Sequence, residues 1–362
     1  MPAAVFAIPG DINLPTGGYT YDRRVLALLP QAGVSARHLP LPDGFPSPSG
    51  DDLAATARAF CGLPPDAVLL IDGLAFGAMP PEIVSQAPGP IVALVHHPLC
   101  LETGLPAERQ AALKASETAA LALARRIVAT SATTARTLTA EFGIPAERIT
   151  VAEPGTDPAP RARRYAARAP LAARPTRPQL LAAGSVVPRK GYNILLRALA
   201  RLGHLDWRLT IAGDRDRSPE TAAALEAQLR FSGVRGRVRF AGAVDERTLA
   251  KLYDHADLFV MASLYEGYGM VLSEALARGL PIVTTTGGAA AETVPDRAAV
   301  KVPPGDTGAL ARALKRALQS ASLRKRLSDA SWAAGQRLPR WEDTARIVAG
   351  AIRDVASEDG AP

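Results

Sequence analysis

The sequence predicts an α/β protein with two doubly wound domains, and three observations carry that prediction. Short continuous apolar runs such as Ala67-Val-Leu-Leu-Ile-Asp72 and Ile91-Val-Ala-Leu-Val-His96 read as strands covered on both faces. Such runs alternate with helical stretches along the chain, the order that builds parallel sheets. The alternation breaks once, at a Pro-, Ala- and Arg-rich tract from Pro158 to Pro178, and then restarts. With 362 residues, both halves can hold a core. The expected division is 1–157 for the first domain, 158–178 for a basic linker, 179–339 for the second domain and 340–362 for a terminal helical segment.

In the first half, Ala3–Pro9 is a short buried strand, and Pro15-Thr-Gly17-Gly18-Tyr19 leads into a helix over Tyr21–Leu29. That is the strand, glycine loop and helix start of a doubly wound domain, where ligands meet the carboxyl ends of the strands. The loop lacks Gly-x-Gly-x-x-Gly, which argues against a dinucleotide cofactor. Strands at Ala67–Asp72 and Ile91–Val95 follow, the second running into His96-His97-Pro98 with Glu102 close behind. A histidine there lies at the ligand edge of the sheet, whereas His97 points the other way because strand side chains alternate. A helix over Leu105–Arg126, a strand at Ile127–Thr130, a Ser131-capped helix ended by Gly143 and a strand at Ile149–Ala152 complete the half. Arg161, Arg163, Arg164 and Arg168 make the linker basic, and a solvated linker is the expected state.

The second half has strands at Gln179–Gly184, Arg208–Asp214, Val238–Gly242, Ala256–Ser263 and Pro281–Thr285. Helices are expected at Tyr192–Leu202, Pro219–Phe231, Leu249–Tyr253 and Val271–Arg278, the last stopped by Gly279-Leu280-Pro281. Gly287-Gly288 sits beside a helix start, Leu310–Leu327 reads as one basic amphipathic helix, and Trp341–Val355 closes the chain.

Bulk composition narrows the function classes. No apolar run spans a bilayer and no basic leader precedes an apolar core, so the expected location is cytoplasmic. Cys61 and Cys100 are too few for a disulfide framework or zinc site and are expected as buried thiols. The net charge of +7 fits anionic partners or simply an Arg-rich composition, and no nucleic-acid module is present.

The chemistry concentrates at Glu266-Gly-Tyr-Gly-Met-Val-Leu-Ser-Glu274, a strand-to-helix turn bearing Gly267 and Gly269. Unpaired N–H groups at Gly269, Met270 and Val271 would receive an anion there, with one carboxylate in the turn and the other about one helical turn in. Arg189-Lys190 follow the first strand of the second half. If the two strand ends are neighbours, the cations and the helix terminus converge on a diphosphate, and also stabilise one that leaves. No acidic pair is spaced for a divalent ion, so the expected site is metal-free.

Gly184-Ser-Val-Val-Pro-Arg189-Lys190-Gly191, Ile211-Ala-Gly-Asp214 and Glu266 through Pro281 resemble the retaining GT-B glycosyltransferases of the family 4 type (glycosyl transferases group 1). The resemblance implies the GT-B architecture, two Rossmann-like domains with a ligand cleft between them, with the Trp341 helix crossing back onto the first. It implies that Glu274 binds the ribose of a nucleotide-sugar donor (UDP- or GDP-linked), Arg189 and Lys190 hold the diphosphate, and Glu266 meets the donor sugar. Gly184 and Asp214 belong to its donor-binding motifs, His96 would stand by the transferred sugar, and Gly17 and Gly18 under the phosphates. The implied reaction is metal-independent transfer to an acceptor hydroxyl on a saccharide, lipid-linked glycan or small molecule. A peripheral contact with the anionic inner face of a membrane is compatible with it, with Arg23-Arg24 as one site for it and a solvated helix face as the other reading of that pair. Two alternatives stand beside it, a sugar-nucleotide epimerase and a non-catalytic nucleotide-sugar-binding module. The acceptor loops, including Asp72-Gly-Leu-Ala-Phe, carry no readable code.

Overall fold

In the computed structural model, residues 2–166 and 177–358 are described. The chain divides into two compact units, Met1–Gly155 with Pro339–Pro362, and Thr156–Leu338.

The first unit is built on strands β1 (Ala3–Pro9), β2 (Ser35–Leu41), β3 (Val68–Asp72), β4 (Ile91–Val95), β5 (Arg126–Ala129) and β6 (Ile149–Val151). All pair in parallel, in the order β2-β1-β3-β4-β5-β6. β3 and β4 are buried at every position, as their unbroken apolar runs require. The chain leaves β1 toward β2 and returns to its other side at β3, so strand order reverses between β1 and β3. That reversal opens a crevice at the carboxyl ends of the strands. The closing helix, Trp341–Glu358, belongs to this unit, with the Trp341 ring 5.9 Å from Tyr21 and the Thr344 hydroxyl donating to the Glu153 carbonyl at 2.7 Å.

β2 was not predicted from the sequence, and neither was the helix Gly50–Cys61. β2 is an edge strand, only its last residue is fully buried, and it carries Pro40, which an edge tolerates. Cys61 ends that helix and is exposed, contrary to the expectation of two buried thiols; Cys100 is buried.

The second unit repeats the plan with β7 (Gln179–Ala183), β8 (Arg208–Ala212), β9 (Val238–Gly242), β10 (Leu258–Met261), β11 (Ile282–Thr285) and β12 (Ala299–Val302), in the order β12-β11-β10-β7-β8-β9. Here the reversal falls between β7 and β10, which pair directly at Leu258–Leu180 and Phe259–Leu181. Two apolar layers cover the sheet, one centred on Leu195, Leu199, Trp207 and Leu314, the other on Tyr253, Phe259, Leu272 and Leu276. The expected single helix over Leu310–Leu327 is two, Thr307–Gln319 and Ala321–Gly335, because Ser320 ends one and caps the next, its hydroxyl accepting from the Leu323 N–H at 3.1 Å.

The described part of the basic tract departs from the solvated linker expected of it. Arg161 donates to Ser328 at 2.9 Å and to Asp329 at 2.6 Å, while Ala162 is buried and the Tyr165 hydroxyl donates to the Asp257 carbonyl at 2.6 Å. Ala162 and Tyr165 pack on the second unit's core, and that burial fixes the segment's course. Arg168 lies outside the described residues.

Candidate functional site

Because β7 and β10 are neighbours, the loops that leave their carboxyl ends meet, and each contributes charge. The β10 loop supplies Glu266, whose side chain is only 6% exposed. The β7 loop supplies Arg189 and Lys190, carried on a single 3₁₀ turn, Pro188–Lys190. Lys190 Nζ donates to Glu266 Oε1 at 2.7 Å, and Arg189 donates both to Oε2 at 3.3 Å and to the Tyr265 carbonyl at 2.8 Å. The Ser263 hydroxyl completes the cage with a 2.6 Å bond to Oε1. Burial alone would raise the Glu266 carboxyl, but Lys190 and Arg189 outweigh it and hold the group at about 2. Two cations thus meet one buried carboxylate.

Backbone packing fixes this cage. Gly184 has φ +132°, and a Cβ there would lie 3.0 Å from Lys190 Cε, so glycine leaves the lysine its path to Glu266. From the other side Glu266 N–H donates to the Gly287 carbonyl at 3.2 Å, and Ala289 N–H to the Glu266 carbonyl at 2.8 Å. A Cβ on Gly288 would stand 2.3 Å from that same carbonyl, so the Gly287-Gly288 pair seats the carboxylate loop.

The helix Met270–Ala277 starts from Gly269 in the left-handed region, φ 92°, and no side chain caps it. Gly269, Met270 and Val271 thus form an open helix N-terminus beside the cation cage. Glu274 is half-buried on this helix. Burial pushes its carboxyl up, while the Tyr253 hydroxyl and Arg278 pull it down. Tyr253 is held by Arg278, whose guanidinium lies 4.7 Å over the ring. Asp214, expected among the donor residues, shapes its own loop: its carbonyl accepts from Val186 N–H at 2.7 Å and its carboxylate from Asp216 N–H at 2.8 Å.

The first unit's crevice holds a second cluster. His96, just beyond β4, sets Nε2 at 3.2 Å from Asp22 Oδ1 and at 3.2 Å from Asp72 Oδ2. Asp72 ends β3 and also accepts from the Leu74 N–H at 2.8 Å, and Asp22 is fully buried on the helix Gly17–Leu28. Burial lowers the imidazole, but the two carboxylates outweigh it and bring it up to about 10. Asp22 rises to about 7, first through burial and then through the charge of Asp72, with His96 opposing. Gly17 and Gly18 open the helix behind the Thr16 cap, and a Cβ on Gly18 would lie 3.4 Å from the His96 ring, so glycine lets the helix approach it. His97 faces Glu102 at 3.5 Å.

Sequence reasoning brought out Arg189, Lys190, Glu266 and His96 but missed Asp22, Asp72 and Ser263. Asp72 and Ser263 carried one usable signal, a short polar residue ending or just following a buried strand. Asp22 carried none, since its position reads as the polar side of a helix. Arg23 and Arg24 are half-exposed and also engaged by the protein: Arg23 donates to the Ile12 and Leu14 carbonyls, and Arg24 lies 5.8 Å over the Trp341 ring.

Two doubly wound units, one with an open helix terminus beside a caged pair of cations, define a two-domain α/β protein suited to a phosphorylated ligand. A profile described as glycosyl transferases group 1 matches residues 177–320, and one described as glycosyltransferase family 4 matches residues 22–160. The chain belongs to this glycosyltransferase family. It is 32% identical over 231 residues to D-inositol 3-phosphate glycosyltransferase of Xylanimonas cellulosilytica, covering 61% of this chain and 55% of that protein. It is 35% identical over 154 residues to the lipopolysaccharide core biosynthesis glycosyltransferase LpsE of Rhizobium meliloti, covering 42% and 43%. The chain thus spans about half the length of the curated relatives it matches. Among solved structures, sucrose-phosphate synthase from Thermosynechococcus elongatus superposes with a TM-score of 0.81 at 21% identity, covering 98% of this chain and 100% of that one. HepE from Anabaena, in complex with UDP and glucose, superposes with a TM-score of 0.70 at 18% identity over 99% of both chains. These two likenesses establish the GT-B fold.

Proposed function

We propose that this protein is a retaining, metal-independent glycosyltransferase that moves a sugar from a UDP- or GDP-linked donor to a hydroxyl of a saccharide, lipid-linked glycan or small molecule. The observation that carries the reading is the cage in which one buried carboxylate fixes Arg189 and Lys190 beside an open helix N-terminus. Both cations are pre-positioned, so they stabilise the charge that builds on the leaving diphosphate without reorganising. They supply the neutralisation that a divalent ion supplies in other transferases. Backbone N–H groups at Gly269–Val271 would take phosphate oxygens. Glu274, half-buried with a raised carboxyl, gains from hydroxyl donors such as those of a ribose. His96, held as an imidazolium by Asp22 and Asp72, would donate to the transferred sugar.

Two routes to retention make different demands on Glu266. A double displacement needs a free, nucleophilic carboxylate. Both Glu266 oxygens accept from Lys190, Arg189 or Ser263, and the group is held at about 2, which makes it a weak nucleophile and a poor base. A front-face displacement, with phosphate stabilisation and an aligned acceptor, fits better. A thermal-shift panel of nucleoside diphosphates and their sugars tests the donor class. UDP or GDP at millimolar concentration is expected to raise the melting temperature, and no response to any member would overturn the reading. A covalent glycosyl group trapped on Glu266 would overturn the front-face route alone.

A further inference from the structure

One side chain of the second unit breaks the burial pattern of the rest. Phe231 is 91% exposed, whereas no other large apolar side chain among the described residues exceeds 43%. Leaving a phenylalanine in water forgoes the largest stabilisation a side chain of that size offers, so its local structure is informative. Phe231 ends the helix Pro219–Arg230 and precedes Gly233, which takes φ +71°.

The turn is braced from both ends. Ser232 N–H and hydroxyl both bond the Leu229 carbonyl, at 3.2 and 2.8 Å, and the same hydroxyl accepts from Val234 N–H at 3.2 Å. Leu229 and Val234 on either side are buried, so the turn is anchored while its tip projects. Phe231 is thus held out by its neighbours.

The segment that carries it is basic. Residues 227–244 contain Arg230, Arg235, Arg237 and Arg239 and no acid. Arg230, Arg235 and Arg239 are exposed; Arg237 is spent on the structure, bonding the Leu205 carbonyl and covering the Trp207 ring at 5.6 Å. The nearest acid before the turn, Glu226, pairs with Arg215. Arg235 and Arg237 precede β9, so this patch lies toward the amino-terminal edge of the sheet, opposite the edge that carries Glu266 and Lys190.

We propose that the turn at Arg230–Arg239 is a docking surface for an anionic membrane, Phe231 entering the headgroup–acyl boundary while Arg230, Arg235 and Arg239 bind the lipid phosphates. A single projecting ring offers far less apolar area than the roughly 800 Å² per partner that a stable protein interface buries. A bilayer accepts a convex wedge and rewards basic charge at its surface, and the three exposed arginines supply that charge. The inference stands apart from the donor chemistry, and its test needs no donor, so its failure would leave the proposed transfer standing.

The test is co-sedimentation of the full chain with phosphatidylcholine vesicles, with and without phosphatidylglycerol, at low and physiological salt. Binding is expected only to the anionic vesicles and to weaken with salt. Replacing Arg235 and Arg239 together by alanine should reduce it by about fivefold per arginine. Phe231→Ala should reduce it by roughly tenfold. Phe231→Trp should bind like the parent, and the emission it adds to that of the parent should shift to the blue on mixing with anionic vesicles. These side chains are exposed, so unchanged melting temperatures are expected to accompany the losses. Equal uptake by neutral vesicles, undiminished uptake of the alanine variants, or an unshifted added emission from Phe231→Trp would each overturn the proposal. So would binding of single-stranded RNA without vesicle uptake, or a dimer in sedimentation velocity that Phe231→Ala abolishes.

Discussion

The two units place opposite charge arrangements at the same topological point. In the second unit one carboxylate, Glu266, sits among two cations and a hydroxyl. In the first, one imidazole, His96, sits between two carboxylates. Both clusters lie where strand order reverses, so the fold supplies the location and the side chains supply the sign. The second cluster holds two cations fixed on its carboxylate. The first carries a surplus of carboxylate, and the means of balancing it is a proton, because Asp22 is raised to about 7. One cluster surrounds a carboxylate with cations, and the other surrounds a cationic ring with carboxylates.

The sharpest way to break this comparison is to remove the central group of the cation cage. Glu266→Gln leaves the half-buried Arg189 and Lys190 without their counter-charge, and is expected to destabilise the protein by about 3–5 kcal/mol in calorimetry. If the cage exists to present cations, a nucleoside diphosphate should restore more melting temperature to this variant than to the parent. An equal or smaller shift would show that the carboxylate itself holds the ligand.

Lys190→Ala addresses turnover. Loss of a preorganised donor to the leaving phosphate should lower kcat by about 10²–10³ with a smaller change in KM. Glu274→Ala should do the reverse, raising KM or the donor Kd by about tenfold with kcat less affected. Steady-state kinetics of both variants checks the division of labour, and the same pattern in both would abolish it.

Within the histidine cluster the two carboxylates should differ. Below about pH 7 Asp22 is already largely neutral, so Asp22→Asn should cost little there, whereas Asp72→Asn removes the remaining counter-charge of His96. Urea unfolding at pH 6 should show Asp72→Asn to be the more destabilising by about 1–3 kcal/mol. Equal losses would mean that Asp22 keeps its charge at that pH.

Opposite pH dependence is the smallest expected effect. His96 titrates at about 10 in the fold against 6.5 as a free side chain, so its contribution is complete below about 6.5 and disappears as pH rises through 10. Asp22 has the same sign, complete below 3.8 and lost as pH rises through about 7. Glu266 has the opposite sign, complete above 4.5 and lost as pH falls through about 2. Melting temperatures of His96→Gln and Glu266→Gln relative to the parent should therefore converge on it at alkaline and acid pH respectively.

How much of this was legible in the sequence depended on how local each signal is. β3, β4, β7 and β10 are short, apolar and centrally placed, so composition marks them; β2 is an edge strand whose exposed positions and Pro40 break up its apolar pattern. Arg189, Lys190, Glu266 and the open helix start at Gly269 could be named because each lies next to a strand end or a glycine turn. Gly143 likewise ends its helix at φ 67°, as its position foretold.

By itself the sequence determined two parallel α/β units, the strand ends that carry chemistry, and the residue types gathered at Glu266–Glu274. Period, length and turn residues encode those features within a few positions of one another. The tertiary structure alone decided that Glu266 is the brace between Arg189 and Lys190, since that contact joins residues 77 and 76 positions apart through the β7–β10 pairing. It alone brought Asp22, Asp72 and His96 together from three elements, with His96 and Asp22 74 positions apart, and it alone left Phe231 in water. Charges become a site only when strand order makes them neighbours and burial removes the water between them, and neither condition is written in any one segment of the chain.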